Sequence, residues 1–147
     1  MPAVARFAAL FVALLISTAA IAQNKVPAAR PLEALVKSSL MTFNDANVTG
    51  NYTVLHAKLS KPFALKFPPD KLKEAFKEFN EKNIDIDVVS AMAPVYDETP
   101  RVDDDGKLLV KGHFATEPTR VKFEMDFIPS DAEWKLIRIN VKLRPAS

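Results

Sequence analysis

The spacing of hydrophobic residues follows a helical period in the first half of the chain and a strand period in the second. From residue 32, apolar residues recur three and four positions apart, which predicts an amphipathic helix that ends at Gly50. A shorter helix is predicted from Asn51, a competent N-cap, and it must end before Pro62. A third is predicted from Asp70 to Phe79, where an apolar stripe lies between charged residues.

From residue 84 onward the period changes to two and turn residues recur between the segments, which is typical of an antiparallel β-meander. The predicted strands cover residues 84–92, 95–102, 107–115, 120–128 and 134–143. Helices followed by a meander predict the α+β class, with the N-terminal helices packed on a twisted antiparallel sheet.

The strand registers follow from the apolar pattern, because a slip of one residue would move a whole apolar set to the other face. A hairpin that turns about Asp131 pairs Phe123 with Ile139. The preceding hairpin, with residues 116–119 as its loop, pairs Phe123 with Gly112. These registers predict an inner face made of Leu108, Val110, Gly112, Phe114, Val121, Phe123, Met125, Phe127, Ile137, Ile139 and Val141.

The same registers place an apolar group on the otherwise charged outer face, close to the turn at Asp131. Its members are Ile128, Trp134, Leu136 and Leu109. An exposed apolar group of this kind is typical of an interaction surface, and a tryptophan often anchors one. Ile128, Trp134 and Leu136 are therefore predicted to form an interface, for instance in a homodimer.

Residues 1–22 have the composition of an export signal. Arg6 precedes an apolar stretch without charge, and a small-residue cleavage site from Ala20 to Ala22 precedes Gln23. The stretch is shorter than the ~20 apolar residues that span a bilayer, so cleavage is expected and no stable membrane span remains. The mature protein is expected to be exported, either to the periplasm or to the medium.

The rest of the chain is predicted to be a flexible lead-in over residues 23–31 and a single α+β domain over residues 32–147. The absence of cysteine excludes disulfides and thiolate metal sites. A formal net charge of +2 argues against a nucleic-acid partner. Two isolated histidines, His56 and His113, argue against a metal site, and no cofactor is predicted.

The final predicted strand reads Glu-Trp-Lys-Leu-Ile-Arg-Ile over residues 133–139. Together with the element order and the size, this strand resembles the nuclear transport factor 2-like superfamily, an α+β cone. The resemblance covers residues 32–143. It implies that the helices close the concave face of the sheet over a pocket, and that the outer face often forms a dimer. The superfamily contains isomerases, dehydratases, polyketide cyclases and non-enzymatic exported domains, so the fold does not select a function.

A pocket lined by aromatic residues is expected between the helices and the inner face of the sheet. Its predicted lining is Phe76, Phe79, Val110, Gly112, Phe114, Phe123, Met125 and Phe127. The same residues could instead form a filled core, which is the simpler interpretation for each residue taken alone.

Asp97 is the one candidate acid for this pocket. With a four-residue loop at 103–106, Asp97 lies opposite Gly112 and points inward; with a three-residue loop, Tyr96 points inward instead. Tyr52 and His56, four residues apart on a short helix, could assist Asp97.

Two functions follow from these residues. The first is an exported non-catalytic domain that binds a small apolar ligand or a protein partner, because the predicted inner face has no acid–base residue. The alternative is a small lyase or isomerase of the polyketide-cyclase or dehydratase kind, which the resemblance implies, with Asp97 as base and Tyr52 or His56 assisting.

Overall fold

A computed structural model describes residues 25–147, which form an α+β domain. The predicted signal peptide, residues 1–22, lies outside the described residues. The helices are α1 (Ala29–Thr49), α2 (Thr53–Ala57), α3 (Lys61–Lys66), α4 (Pro69–Ala75) and α5 (Lys77–Glu81), followed by a 3-10 helix (Asp87–Ala91). The strands are β1 (Val95–Tyr96), β2 (Arg101–Val102), β3 (Leu108–Phe114), β4 (Thr119–Ser130) and β5 (Glu133–Pro145). Within residues 25–147, no helix combines the length and the apolar character needed to cross a membrane.

The long helix α1 forms where the apolar period predicts it. Its buried side includes Leu32, Val36, Leu40 and Phe43, and it ends because Gly50 adopts the left-handed conformation with φ of 71°. The helix begins at Ala29, so residues 29–31 of the predicted lead-in are helical.

The third predicted helix is divided in two. The backbone leaves the helical conformation at Phe76, with φ of −110° and ψ of 17°, between α4 and α5. This turn lets Phe76 and Phe79 both pack edge-on against Phe43, at ring-centroid distances of 4.9 and 5.1 Å. Helix α3 was not predicted.

The predicted strand at residues 84–92 is wrong, because this segment contains the 3-10 helix. Its buried residues, Ile86 and Val89, lie three positions apart, a spacing that suits a 3-10 turn. The side chain of Asn44 also accepts the Ile86 N–H at 3.0 Å, so this donor is satisfied without a partner strand.

The sheet is antiparallel, with the order β1-β3-β4-β5 and with β2 also paired to β3. The predicted register of β3 and β4 is confirmed, since Phe123 lies opposite Gly112 and Phe114 opposite Val121. The predicted strand at 95–102 forms only the two short strands β1 and β2, on either side of a segment that contains Pro100.

The predicted register of β4 and β5 is wrong. Phe123 lies opposite Val141 rather than Ile139. The offset has two sources: the turn is a tight one centred on Asp131 and Ala132, and a β-bulge interrupts the pairing beyond Asp126. The two errors add to two residues, so Ile139 and Val141 keep their predicted places on the inner face. Ile137, which was also predicted there, lies half-buried in the bulge without a partner on β4.

We define the hairpin tip as residues 127–136. The bulge changes the side of the sheet to which the β5 side chains of this tip point. Phe127 pairs with Leu136, and Pro129 pairs with Trp134. Trp134 and Leu136 therefore lie on the inner side, not on the outer face as predicted. The Leu136 carbonyl accepts the Ser60 N–H at 2.8 Å, so the bulge joins the sheet to the linker between α2 and α3.

We expect Ala132→Gly to raise the free energy of unfolding by about 0.5 to 1 kcal/mol. Ala132 has φ of 62° in the hairpin turn, where its Cβ is strained and glycine is not. Equilibrium urea unfolding would measure the change. In the exposed part of α1, Ala34→Gly is the control and should instead lower stability by about 1 kcal/mol. If both variants were less stable than the wild type, the claim that Ala132 is strained in the turn would be contradicted.

Candidate functional site

The predicted pocket lining lies in the hydrophobic core. Among the eight residues, the five from the sheet other than Gly112 are almost completely buried: Val110, Phe114, Phe123, Met125 and Phe127. Phe76 and Phe79 pack on Phe43, and the rings of Phe114 and Phe123 lie 5.6 Å apart. These contacts support the packed-core interpretation for this part of the inner face.

Gly112 accommodates a neighbouring strand rather than a ligand. A Cβ at this position would lie 2.3 Å from the carbonyl oxygen of Val95 and 2.9 Å from the Phe123 ring. The space that the missing side chain leaves is therefore already taken by the backbone of β1 and by an aromatic ring.

Asp97 lies on the outer side of the sheet, and Tyr96 points inward. Val95 pairs with His113 and Tyr96 with Gly112, which is the register of the shorter loop. Asp97 Oδ1 accepts a hydrogen bond from His113 Nδ1 at 2.7 Å. Burial raises the pKa of the Tyr96 hydroxyl above its usual value. The register that would direct Asp97 into a pocket is not observed.

Tyr52 and His56 have separate structural roles. Tyr52 is buried, its hydroxyl donates to Asn47 Oδ1, and burial raises its pKa. His56 Nε2 donates to the carbonyl oxygen of Ala64 at 3.0 Å. Neither residue is hydrogen-bonded to Asp97, so the structure does not bring the three together as a catalytic group.

Within residues 25–147, a concave cleft lies at the hairpin tip. This cleft has a volume of about 580 Å³, within the range of about 300 to 1,000 Å³ found for small-molecule sites. It is bordered by α1 and the segment before it, by α2, and by the tip. We call it the hairpin cleft; its lining is Pro27, Pro31, Leu35, Ser39, Thr42, Leu55, Ala57, Lys58, Phe127, Ala132, Glu133, Trp134, Lys135 and Leu136.

The sequence explains why the cleft forms where it does. Beside the large apolar stripe of α1, a neighbouring row of the helix runs from Leu35 to the small polar residues Ser39 and Thr42, which leave room beside the hairpin tip. Because of the bulge, Trp134 and Leu136 face this room instead of solvent on the outer face. Of the predicted pocket residues, Phe127 alone is part of this lining.

The polar groups of the cleft lie on its helical wall and at the hairpin tip, where Glu133 and Lys135 are part of the lining. Lys58 Nζ donates to Thr42 Oγ1 at 2.9 Å, and Ser39 Oγ donates to the Leu35 carbonyl at 2.7 Å. Within the described part of the chain, no carboxylate lies within ion-pair distance of Lys58. The cleft thus combines apolar walls with three charged side chains. Lys135 already lies within ion-pair distance of Asp131, so Lys58 is the cation on the helical wall that can contact an acidic group.

The predicted interface residues do not share one surface. Ile128 is half-buried and faces the outer side, whereas Leu136 is buried and Trp134 lines the cleft. The sequence contains a signal for this difference, since Leu136 and Ile137 are adjacent apolar residues and mark a change of phase in the alternation. Homodimerisation itself stays a prediction.

Within residues 25–147, no group of three or more His, Asp or Glu side chains is placed to hold a metal ion. Comparison with protein-family models, with curated proteins and with solved structures finds no match for this chain.

Proposed function

We propose that this chain is an exported, non-catalytic domain that binds a small, largely apolar ligand in the hairpin cleft. The observation that carries the proposal is the cleft itself, whose apolar walls and few polar groups are the usual chemistry of a small-molecule site. Lys58 at its helical wall favours a ligand with an acidic head group and an apolar body. Export is supported by the composition of residues 1–22.

The proposal extends to the fold family. Helices followed by an antiparallel sheet, with a cleft between them, are consistent with a nuclear transport factor 2-like cone. The cleft lies at the hairpin tip, while the central part of the inner face is filled by the core. A binding role needs only this open end, because the filled part supplies rigidity rather than contacts to the ligand.

Trp134 gives a direct readout of ligand binding, because it is the only tryptophan of the chain and it lines the cleft. We expect dodecanoate, titrated below its micellar concentration, to shift the Trp134 fluorescence to shorter wavelength and to saturate. Dodecanol, which has the same apolar body without the charge, should bind more weakly. Lys58→Met should reduce the affinity for dodecanoate while leaving the affinity for dodecanol unchanged.

Leu35→Lys tests the location of the site by placing a charge on the apolar wall of the cleft. We expect it to weaken dodecanol binding by about tenfold or more, because burial of an unpaired ammonium costs at least 1.4 kcal/mol. The control is Leu65→Lys in α3, where the side chain is 87% exposed and distant from the cleft lining. Equal affinity for dodecanol in both variants would refute the hairpin cleft as the binding site.

A further inference from the structure

The outer face of the sheet carries two cross-strand pairs of like charge at one end. Arg120 of β4 lies directly opposite Arg144 of β5, and Lys122 lies directly opposite Lys142. Like charges in directly opposed positions destabilise a sheet. Two successive pairs of this kind are unfavourable for folding alone, which points to a binding role for the four cations. We call these four residues the basic end of the outer face.

On the rest of the outer face, side chains of opposite charge are paired. Glu124 Oε2 accepts a hydrogen bond from Arg138 Nη2 at 2.8 Å, and Glu124 Oε1 lies 3.4 Å from Lys111 Nζ. The hydrogen bond from Arg138 lowers the pKa of Glu124. Asp97 is likewise engaged, by His113 at 2.7 Å. The acids of this face are thus paired away from the basic end.

The four cations lack acidic partners in the described part of the chain. Within residues 25–147, none of them has a carboxylate at ion-pair distance. The Nε of Arg120 is buried and has no hydrogen-bond partner among these residues. A buried donor without a partner is costly, which adds to the unfavourable environment of the four cations.

The basic end borders a concave surface of its own. A cleft of about 280 Å³ lies on this face, on the other side of the sheet from the hairpin cleft. Its lining contains three of the four cations, together with paired acids and an amide: Asp97, Lys111, Gly112, Lys122, Phe123, Glu124, Asn140, Lys142 and Arg144. Unpaired cations lie at one end, and the other end holds Asn140 and the ion-paired side chains of Lys111, Glu124 and Asp97. This arrangement suits a small molecule with an anionic group and hydroxyl groups.

We propose that this cleft binds a small phosphorylated polar molecule, with its phosphate at the basic end and its hydroxyl groups toward Asp97, Glu124 and Asn140. A phosphate carries nearly two negative charges and three acceptor oxygens, so it can bridge the Lys122–Lys142 pair and accept from Arg144. Binding of the phosphate turns the Lys122–Lys142 pair from a source of repulsion into shared ligands of one anion, and the charge of the phosphate also offsets the repulsion between Arg120 and Arg144.

The test uses ribose 5-phosphate as the probe and calorimetry at low ionic strength, where screening is weak. We expect ribose 5-phosphate to bind and free ribose to give no measurable heat. The variant Lys122→Gln/Lys142→Gln should weaken ribose 5-phosphate binding by about tenfold or more, as expected for the loss of charge-assisted hydrogen bonds. Lys71→Gln/Lys73→Gln removes the same charge from an exposed face of α4 and should leave the affinity unchanged within about twofold.

Three results would overturn the proposal. The first is no binding of ribose 5-phosphate to the wild-type protein. The second is an equal loss in both double variants, which would show an effect of total charge. The third is binding to phosphatidylglycerol vesicles that ribose 5-phosphate does not compete with, since the basic end would then recognise a lipid surface. A thermal unfolding curve for each variant ensures that only folded protein is compared.

Discussion

Phe43→Ala is expected to lower the free energy of unfolding by about 3 to 5 kcal/mol. Phe43 is only 1% exposed and holds Phe76 and Phe79 edge-on, at 4.9 and 5.1 Å between ring centroids. Alanine removes both aromatic contacts and leaves a cavity that α1, fixed along its length, can close only in part. Urea unfolding monitored by circular dichroism would measure the loss.

The matched control is Phe63→Ala. Phe63 also forms an edge-on aromatic pair, with Phe67 at 5.2 Å, but it is only half-buried. We expect Phe63→Ala to lower the free energy of unfolding by less than about 2 kcal/mol, because part of the ring already contacts water. If Phe43→Ala cost no more than Phe63→Ala, the region around Phe76 and Phe79 would be an open pocket wall rather than core.

Gly112→Ala is expected to lower the free energy of unfolding by about 2 to 3 kcal/mol, because the added methyl group meets atoms that cannot move freely. The carbonyl oxygen of Val95 lies 2.3 Å from the position of the new Cβ, so β1 must separate from β3. The Asp97 N–H, which donates to the Lys111 carbonyl at 2.9 Å, should then exchange with solvent faster. Hydrogen exchange and urea unfolding together would measure both effects.

Gly106→Ala is the control for Gly112→Ala. Gly106 has φ of 79° in a turn, and no atom lies within 4 Å of its added Cβ. Its expected cost is about 1 kcal/mol from the left-handed backbone alone, with no change in the exchange of the Asp97 amide. Equal costs and equal exchange rates in the two variants would contradict the close approach of β1 at Gly112.

The parts of the fold that the sequence predicted are those with a long, regular pattern. The stripe from Leu32 to Phe43 extends over three turns, and the alternation across β3 and β4 has one register that buries the whole alternating apolar set from Leu108 to Phe114 and from Val121 to Phe127. The segment at residues 84–92 is different. It contains two short apolar runs, and the side-chain oxygen of Asn44 accepts the Ile86 N–H, which takes the place of a partner strand there.

The candidate site was missed because it depends on a shift of one residue, whose sign in the sequence is only the adjacent apolar pair Leu136 and Ile137. An alternating strand gives the facing of each residue only if the alternation is unbroken, and the bulge beyond Asp126 reverses it for the hairpin tip. Trp134 and Leu136 therefore appear as an exposed patch in the sequence but lie beside α1 in the structure. The side of the sheet that Asp97 faces also depends on a shift of one residue. Loops of three and of four residues were both compatible with the pattern, and they direct Asp97 to opposite sides.

The bulge also affects how this protein avoids aggregation. Strand β5 is the last strand of the sheet and has 13 residues, which makes it a long open edge where a strand from another chain could add. The bulge interrupts that edge, and the Ser60 N–H occupies the Leu136 carbonyl there. On both sides of this point β5 carries cations, from Lys135 to Arg144, which repel a second copy of the same strand. The irregularity that forms the cleft thus also protects the sheet from fibril-like growth.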